Sequence, residues 1–304
     1  TAVIFWGALP IAVKLSTVFI DPVSLTWFRF FVAFWVTLAL QYLAGNLRQF
    51  RLISSKQWIK LTLAALLSIA NYISFVYCLD YLAPGPAQLN FQTAPFFLAF
   101  GGILFFKESL NAWQMTCFAT LALGMMLFFQ PMLSNTTDST TNINSAVMGI
   151  LLVQFSAFSW SCYALLQRSL IQVLSPSNFL LFIYGFGMLV MSPFCDYSDF
   201  EKMNHSQWYV AIFCAINTLI AYGCFAQSMK YWPTTQVGAM VALTPLISFS
   251  FSAFIAALAW WPETIKADPL SNIALMGIIL IVTSVLGVQL LFDNKALKEH
   301  DNVK

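Results

Sequence analysis

Polar positions fall in short clusters that cut the chain into long apolar stretches. Ten can be read, at about 1–20, 22–44, 57–80, 86–106, 111–130, 146–172, 176–194, 207–231, 235–261 and 271–293. Each approaches the ~20 residues that a helix needs to cross ~30 Å of hydrocarbon. None shows the two-residue alternation of a barrel strand, and lipid offers no partner to an unpaired backbone group, so helix is predicted for all ten. Asp21-Pro22 and Ser175-Pro176 mark two starts, each a capping side chain ahead of a proline at the first helical position.

Lysine and arginine orient these spans. With the N-terminus in the cytoplasm, the inner side receives Arg48, Arg51, Lys56, Lys60, Lys107, Arg168, Lys230, Lys295, Lys298 and Lys304, while the outer side keeps Lys202 and Lys266. Lys14 and Arg29 remain inside spans. The expectation is an all-α integral membrane protein of ten transmembrane helices in a cytoplasmic (inner) membrane, with both termini cytoplasmic.

The order of the spans contains a repeat. At an offset of 154, Trp6 meets Trp160, Lys14 meets Arg168 and Pro22 meets Pro176. At an offset of 150, Gln57-Trp58 meets Gln207-Trp208, Tyr72 meets Tyr222, Phe75 meets Phe225, Tyr81 meets Tyr231 and Pro95 meets Pro245. Further on, Glu108 meets Glu263 and Leu123-Gly124 meets Leu286-Gly287. Five helices per half is an odd number, so the second half enters the membrane inverted. The charges agree, since Asp80 ends an outer boundary where its counterpart Lys230 ends an inner one. The predicted organisation is a first repeat over 1–130, an extracytoplasmic linker over 131–145, an inverted repeat over 146–293 and a cytoplasmic tail over 294–304. Inverted repeats are the architecture of alternating-access carriers, whose halves rock around a site near mid-membrane.

Within this frame "NFQTAPFFLAF" (90–100) and "MVALTPLISFS" (240–250) are one phrase written twice. Each proline removes a backbone hydrogen bond, exposing the carbonyls of Phe91 and Val241, and favours a kink. Such a defect survives at depth where protein or a polar cavity surrounds it. Pro95 and Pro245 therefore read either as packing kinks or as kinks lining a central cavity.

Composition excludes several classes. Apolar residues make up 60%, aromatic residues 16% and charged residues 9%, against about 25% charged in soluble domains. A net charge of +2 does not suggest a nucleic-acid partner. The six cysteines show no CxxC spacing, and all but Cys195 lie within apolar runs, which points to packing rather than to metal or disulfide chemistry. No cofactor is expected. The chain opens at Thr1, already apolar and without methionine. That reads as a trimmed start rather than a cleaved signal, because many similar segments follow.

The sequence resembles the drug/metabolite transporter superfamily in its ten-helix EamA-type branch. The resemblance rests on "FWGALPIAVK" (5–14), "DPVSLTWFRF" (21–30), "APFFLAFGGILFFKES" (94–109) and "TPLISFSFSAFIAALAWWPET" (244–264). It covers nearly the whole chain, with extra residues "AWWP" before Glu263 as a departure. It implies movement of small organic solutes, often outward, through a cavity between two halves. The family includes exporters of amino acids and carriers of nucleotide-sugars or sugar phosphates.

Polar groups at membrane depth are default candidates for holding a solute. The third span offers Asn71 and Tyr72, the fourth Gln88, Asn90, Gln92 and Thr93, and the eighth Tyr222 and Gln227. The sixth offers Gln154, Ser156, Ser159, Trp160, Ser161, Tyr163 and Gln167. Any one of them could instead bridge helices; together they describe a mixed polar and aromatic pocket. The resemblance adds weight to Asn71, Tyr72 and Gln92. Arg29 and Lys14 either snorkel to headgroups or anchor a carboxylate or phosphate. Arg168 reads as an interface anchor, Glu108 and Glu263 as a structural pairing, and Trp58, Trp208, Tyr81 and Tyr231 as belt anchors.

No Asp, Glu or His lies at mid-span, so transport is expected to be facilitated or exchange-driven, unless Lys14 or an end-located carboxylate couples it to protons. The expected function is a secondary carrier exporting a small polar, amino-acid-like metabolite. The rivals are a carrier of organophosphates, nucleotide conjugates or cationic drugs, a lipid scramblase, and a membrane scaffold. Neither HExxH nor carboxylates at depth are present for an intramembrane protease. Sequons at Asn135 and Asn204 fall in predicted outer loops. The expected partners are the solute and membrane lipid, with monomer and homodimer both open.

Overall fold

Asp21 and Ser175 cap helices as their sequence context predicts. The Asp21 carboxylate accepts from the amides of Val23 and Ser24, and the Ser175 hydroxyl accepts from the amide of Asn178. The computed structural model describes residues 1–16, 18–78, 81–82, 87, 90–108, 110–134, 143–258 and 271–301. Among these no strand occurs. The helices are α1 (Ala2–Ser16), α2 (Pro22–Leu43), α3 (Ser55–Cys78), α4 (Ala94–Phe106), α5 (Ala112–Ser134) and α6 (Ile143–Leu170). There follow α7 (Pro176–Met191), α8 (His205–Tyr231), α9 (Thr234–Val241), α10 (Thr244–Ala257) and α11 (Asn272–Asp301). Asn204, one of the two sequon residues, caps α8 in a reciprocal box with Gln207. Asn135, Asp80, Lys266 and most of the expected linker lie outside the described residues.

Six described segments are long and apolar enough to cross a membrane: Pro22–Leu43, Ser55–Cys78, Val147–Leu170, Pro176–Phe194, His205–Tyr231 and Thr234–Ala257. Shorter apolar helices cover Ala2–Val13, Ala94–Phe106, Ala112–Phe128 and Asn272–Val288. Leu43, Phe105, Trp113, Met126 and Leu189 are among the large apolar side chains left exposed on the bundle exterior, a surface suited to lipid.

The two expected kinks are complete breaks. A turn at Gln92–Thr93 precedes α4, and a turn at Ala242–Leu243 separates α9 from α10, so the ninth stretch is two helices. Proline fits the first turn of a helix, where no amide donor is required, and Pro95 and Pro245 each occupy that place in a new helix. Side chains supply donors to carbonyls around both breaks. The Asn90 carbonyl accepts from the Thr93 hydroxyl (3.0 Å) and from Gln154 Nε2 of α6 (3.0 Å). Ser161 Oγ donates to the Ala94 carbonyl (3.0 Å). The Val241 carbonyl, expected to be exposed, accepts from the Thr244 hydroxyl at 2.7 Å. Both prolines are buried, and a Cβ on Gly238 of α9 would sit 3.0 Å from the Pro95 carbonyl oxygen. Glycine here lets α4 and α9 touch backbone to backbone.

α3 packs along α6, α1 along α8, α2 against α7 and α5 against α11, while α4 lies between α6 and α9 and α10 lies against α1. Polar side chains stitch these pairs. Asn71 Nδ2 donates to the carbonyl and hydroxyl of Ser156 (3.1 and 2.8 Å), and Ser156 Oγ donates back to the Asn71 carbonyl (2.9 Å). Asn217 Nδ2 of α8 donates to the Phe5 carbonyl of α1 at 2.6 Å. The Thr120 and Ser284 hydroxyls meet at 2.7 Å between α5 and α11. In that last pair Gly124 and Gly277 face each other, and a Cβ on Gly277 would press on the Phe128 amide nitrogen and lie 2.7 Å from the Gly124 carbonyl oxygen. Small residues let membrane helices approach where no hydrophobic force drives them together. Gly277→Ala is expected to destabilise by about 1–3 kcal/mol through overpacking, read as a lowered unfolding temperature in detergent; an unchanged temperature would refute the close contact.

One end of the bundle carries Arg48, Arg51, Lys56, Lys60, Lys107, Arg168 and Lys230, and is called the basic end below. There Gln49 Oε1 accepts from the Ser175 amide (2.8 Å) and from Asn178 Nδ2 (3.0 Å), tying the Asn46–Arg51 turn to the start of α7. At the opposite end the Asp21 amide donates to Asp199 (2.9 Å) and the Asp196 amide to Ser24 Oγ (2.9 Å), fastening the short helix Ser198–Lys202 over the start of α2.

Candidate functional site

Arg29 lies on the buried stripe of α2 with Thr26, Ala33 and Thr37, two turns in from Pro22. It is 4% exposed, so the guanidinium turns into the bundle and does not snorkel. Its Nε donates to Thr218 Oγ1 of α8 at 2.7 Å, and its Cζ lies 5.7 Å from the centre of the Tyr72 ring. Nη2 has no hydrogen-bond partner, and no carboxylate among the described residues pairs with it. A buried cation with one hydroxyl partner and one aromatic face is under-compensated: desolvation of an ion costs several kcal/mol, and a cation–π contact returns about 0.5–2.

Tyr72 of α3 donates from its hydroxyl to that of Tyr222 of α8 at 2.5 Å. An aromatic box stands against this pair. The Trp6 ring lies 6.0 Å from Trp160, 5.3 Å from Tyr222 and 5.2 Å from Phe225, and Trp160 lies 5.4 Å from Phe225. On the other side Phe30 bridges Tyr72 (5.2 Å) and Tyr184 of α7 (5.8 Å). Tyr163 of α6 and Tyr184 are each 1% exposed, and neither hydroxyl has a hydrogen-bond partner. The arrangement offers a positive fork, several hydroxyls and flat apolar walls, which suits a small solute carrying a carboxylate.

The structure brings Arg29, Tyr72, Trp160, Tyr163 and Tyr222 together in this core. Asn71 gives its amide nitrogen to the Ser156 carbonyl and hydroxyl and so bridges α3 and α6. Asn90 and the buried Gln92 belong to the break before α4. Gln227 is exposed on another side of α8, where its amide reaches the Tyr231 hydroxyl at 3.4 Å. Gln88, Glu263 and the side chain of Lys14 lie outside the described residues. Tyr184, Thr218 and Phe30 were not singled out in the sequence. Tyr184 falls 154 residues after Phe30, on the register of the repeat, and Thr218 precedes Tyr222 by one turn, so both carried a usable signal.

Gln227 lines a largely apolar cleft of about 350 Å³ at the basic end, between the start of α1, the end of α8 and α9. Phe225 forms part of its wall and is also one side of the aromatic box. Beside it Glu108, just past the end of α4, binds α9 and α6 at once. One carboxylate oxygen accepts from the amide and the hydroxyl of Thr234 (both 2.8 Å), and the other accepts from the Thr235 amide (3.1 Å), capping α9. Arg168 Nη1 lies 3.0 Å from Glu108 and donates to the Trp232 carbonyl at 2.8 Å. Arg168, expected at the lipid interface, thus turns to Glu108, whose structural pairing was expected.

The model of the EamA-like transporter family matches residues 1–130 and again 147–291. The chain belongs to the EamA-like transporter family. An uncharacterized transporter of Haemophilus influenzae is 28% identical over 92% of this chain and 90% of its own length. The uncharacterized inner membrane transporter YhbE of Escherichia coli is 27% identical over 94% and 88%. More distantly, a probable amino-acid metabolite efflux pump of E. coli is 20% identical over 72% of each chain. A solved crystal structure superposes with a TM-score of 0.75 at 18% identity, covering 95% of this chain and 94% of that one, a likeness of fold alone. This EamA-like protein is therefore an integral membrane transporter.

Proposed function

We propose that this EamA-like transporter is an alternating-access carrier that exports a small amino-acid-like metabolite, binding its carboxylate at Arg29. The buried, partly unpartnered guanidinium carries this reading. One fork-shaped cation matches one carboxylate in geometry and charge, whereas a phosphate dianion would call for a second cation. The name of the E. coli amino-acid metabolite efflux pump supports the same solute class. A cleft at the basic end that reaches Phe225 supports loading from that side, and positive charge supports placing that side, with both termini, in the cytoplasm.

Ten spans arranged as two inverted halves complete the proposal. Two separate family matches support duplicated halves. So do the contacts between sequence-equivalent residues, Trp6 with Trp160, Tyr72 with Tyr222 and Phe30 with Tyr184. A residue touches its own counterpart only beside a twofold axis. Exchange of the halves also turns the α3–α6 pairing into the α8–α1 pairing.

Purified protein in liposomes should give saturable, stereoselective flux of amino acids; uptake of organophosphates with amino acids excluded would overturn the solute class. Initial rates should be unchanged when a pH gradient is collapsed, and a strict requirement for the gradient would refute facilitated transport or exchange. Reporter tags at residue 140 and at the C-terminus should appear on opposite membrane faces; a shared face removes the inverted repeat.

A further inference from the structure

Towards the basic end from Arg29, a second group of polar side chains is sealed in the bundle without partners. Gln167 is fully buried, at 0% exposure, and neither its Oε1 nor its Nε2 makes a hydrogen bond. It lies one helical turn from Tyr163 on the same face of α6, at i,i+4 spacing. The Tyr163 and Tyr184 hydroxyls are likewise unpartnered, and both side chains belong to one buried cluster, Tyr163 lying 5.8 Å from the Phe179 ring and Tyr184 5.8 Å from the Phe30 ring. Four polar atoms from two helices, all buried and all unmatched, are costly to keep, and buried polar groups normally find a partner. Packing gives no reason for them, since phenylalanine and leucine or methionine would fill the same space.

We propose that Tyr163, Gln167 and Tyr184 form a neutral subsite that takes the uncharged hydrogen-bonding end of the solute, a hydroxyl or carboxamide, while Arg29 holds its carboxylate. The subsite rests on the carboxylate reading of Arg29. All three side chains are uncharged and each can donate and accept, which suits a neutral polar group. A purely apolar end would leave these atoms unmatched. The expected solute is therefore bifunctional, with a carboxylate at one end and a neutral polar group at the other.

The test uses isosteric amino-acid pairs as probes, L-threonine against L-valine and L-glutamine against L-methionine. Binding is followed by thermal stabilisation of the purified protein and by counterflow in liposomes. Wild type should favour the polar member of at least one pair by ~10-fold or more. In Gln167→Leu and in Tyr163→Phe/Tyr184→Phe that ratio should fall towards one, with the apolar member bound as before. Without solute, Gln167→Leu should melt at or above the wild-type temperature, because two unmatched polar atoms are removed. Equal binding within both pairs, a ratio that survives both variants, or a lowered melting temperature for Gln167→Leu would each overturn the subsite. Arg29→Gln separates the two readings. It should weaken both members of a pair alike, and if it weakens neither, the carboxylate anchor fails while the ratio still reports on the subsite. Absence of binding by all four probes overturns both readings.

Discussion

Arg29→Gln is expected to abolish saturable transport at ordinary solute concentrations while leaving the empty protein at least as heat-stable as wild type. Loss of one partner from a buried charge pair costs about 2–5 kcal/mol of binding, a ~30- to 5,000-fold weaker Kd. The unoccupied protein has the opposite balance, because its cation is held by Thr218 and the Tyr72 ring with Nη2 unmatched. Removing an under-compensated buried charge relieves desolvation. This opposition of function and stability separates a binding residue from a structural one. Arg29→Lys keeps the charge but loses the bidentate fork, so it should fall between the two. Counterflow and melting temperature on the same preparation decide the matter. Wild-type transport by Arg29→Gln, or a large fall in its melting temperature, would sink the assignment.

Glu108→Ala should have the largest effect on stability, about 3–5 kcal/mol, because it strips one partner from a half-buried ion pair and uncaps α9 in the same step. Charge reversal across the pair, Glu108→Arg with Arg168→Glu, should not restore it. The amides of Thr234 and Thr235 point at residue 108 and require an acceptor there, and the positive end of a helix disfavours a guanidinium. Thermal unfolding of the single and double variants in detergent reads this directly. Recovery of the wild-type temperature in the double variant would show that Glu108 acts only as a charge.

Most of the spans and both ends of the bundle were legible from the alternation of apolar runs and polar clusters, since the length of hydrocarbon to be crossed leaves helices few choices. Tyr72 and Tyr222 stand at an offset of 150 in the sequence, and their hydroxyls meet in the fold. The direction taken by Arg29 was not legible. Its side chain is long enough to reach towards headgroups or to turn inward, and the choice is made by Thr218, which lies 189 residues further along the chain. Asn71 is open in the sequence to a solute site or a helix bridge, and only the fold sets Ser156 opposite it. Five residues carry Gln227 about 140° around α8 from Tyr222, so helical arithmetic alone sets the two on different faces. The prolines marked where helices would be disturbed. That the disturbance is a full break depends on donors such as Gln154, 64 residues away from the carbonyl it serves.

Those breaks have a mechanical consequence. An unbroken membrane helix is a stiff rod that carries a push at one bilayer face across to the other. Here the basic-end segments, α4 and α9, are welded to each other through Pro95 against Gly238 and through Glu108 against Thr234. The opposite-end segment α10 instead rides on α1. In the alternating-access carrier proposed above, the turns at Gln92–Thr93 and Ala242–Leu243 are the paired elbows about which one mouth would be levered open while the other stays shut.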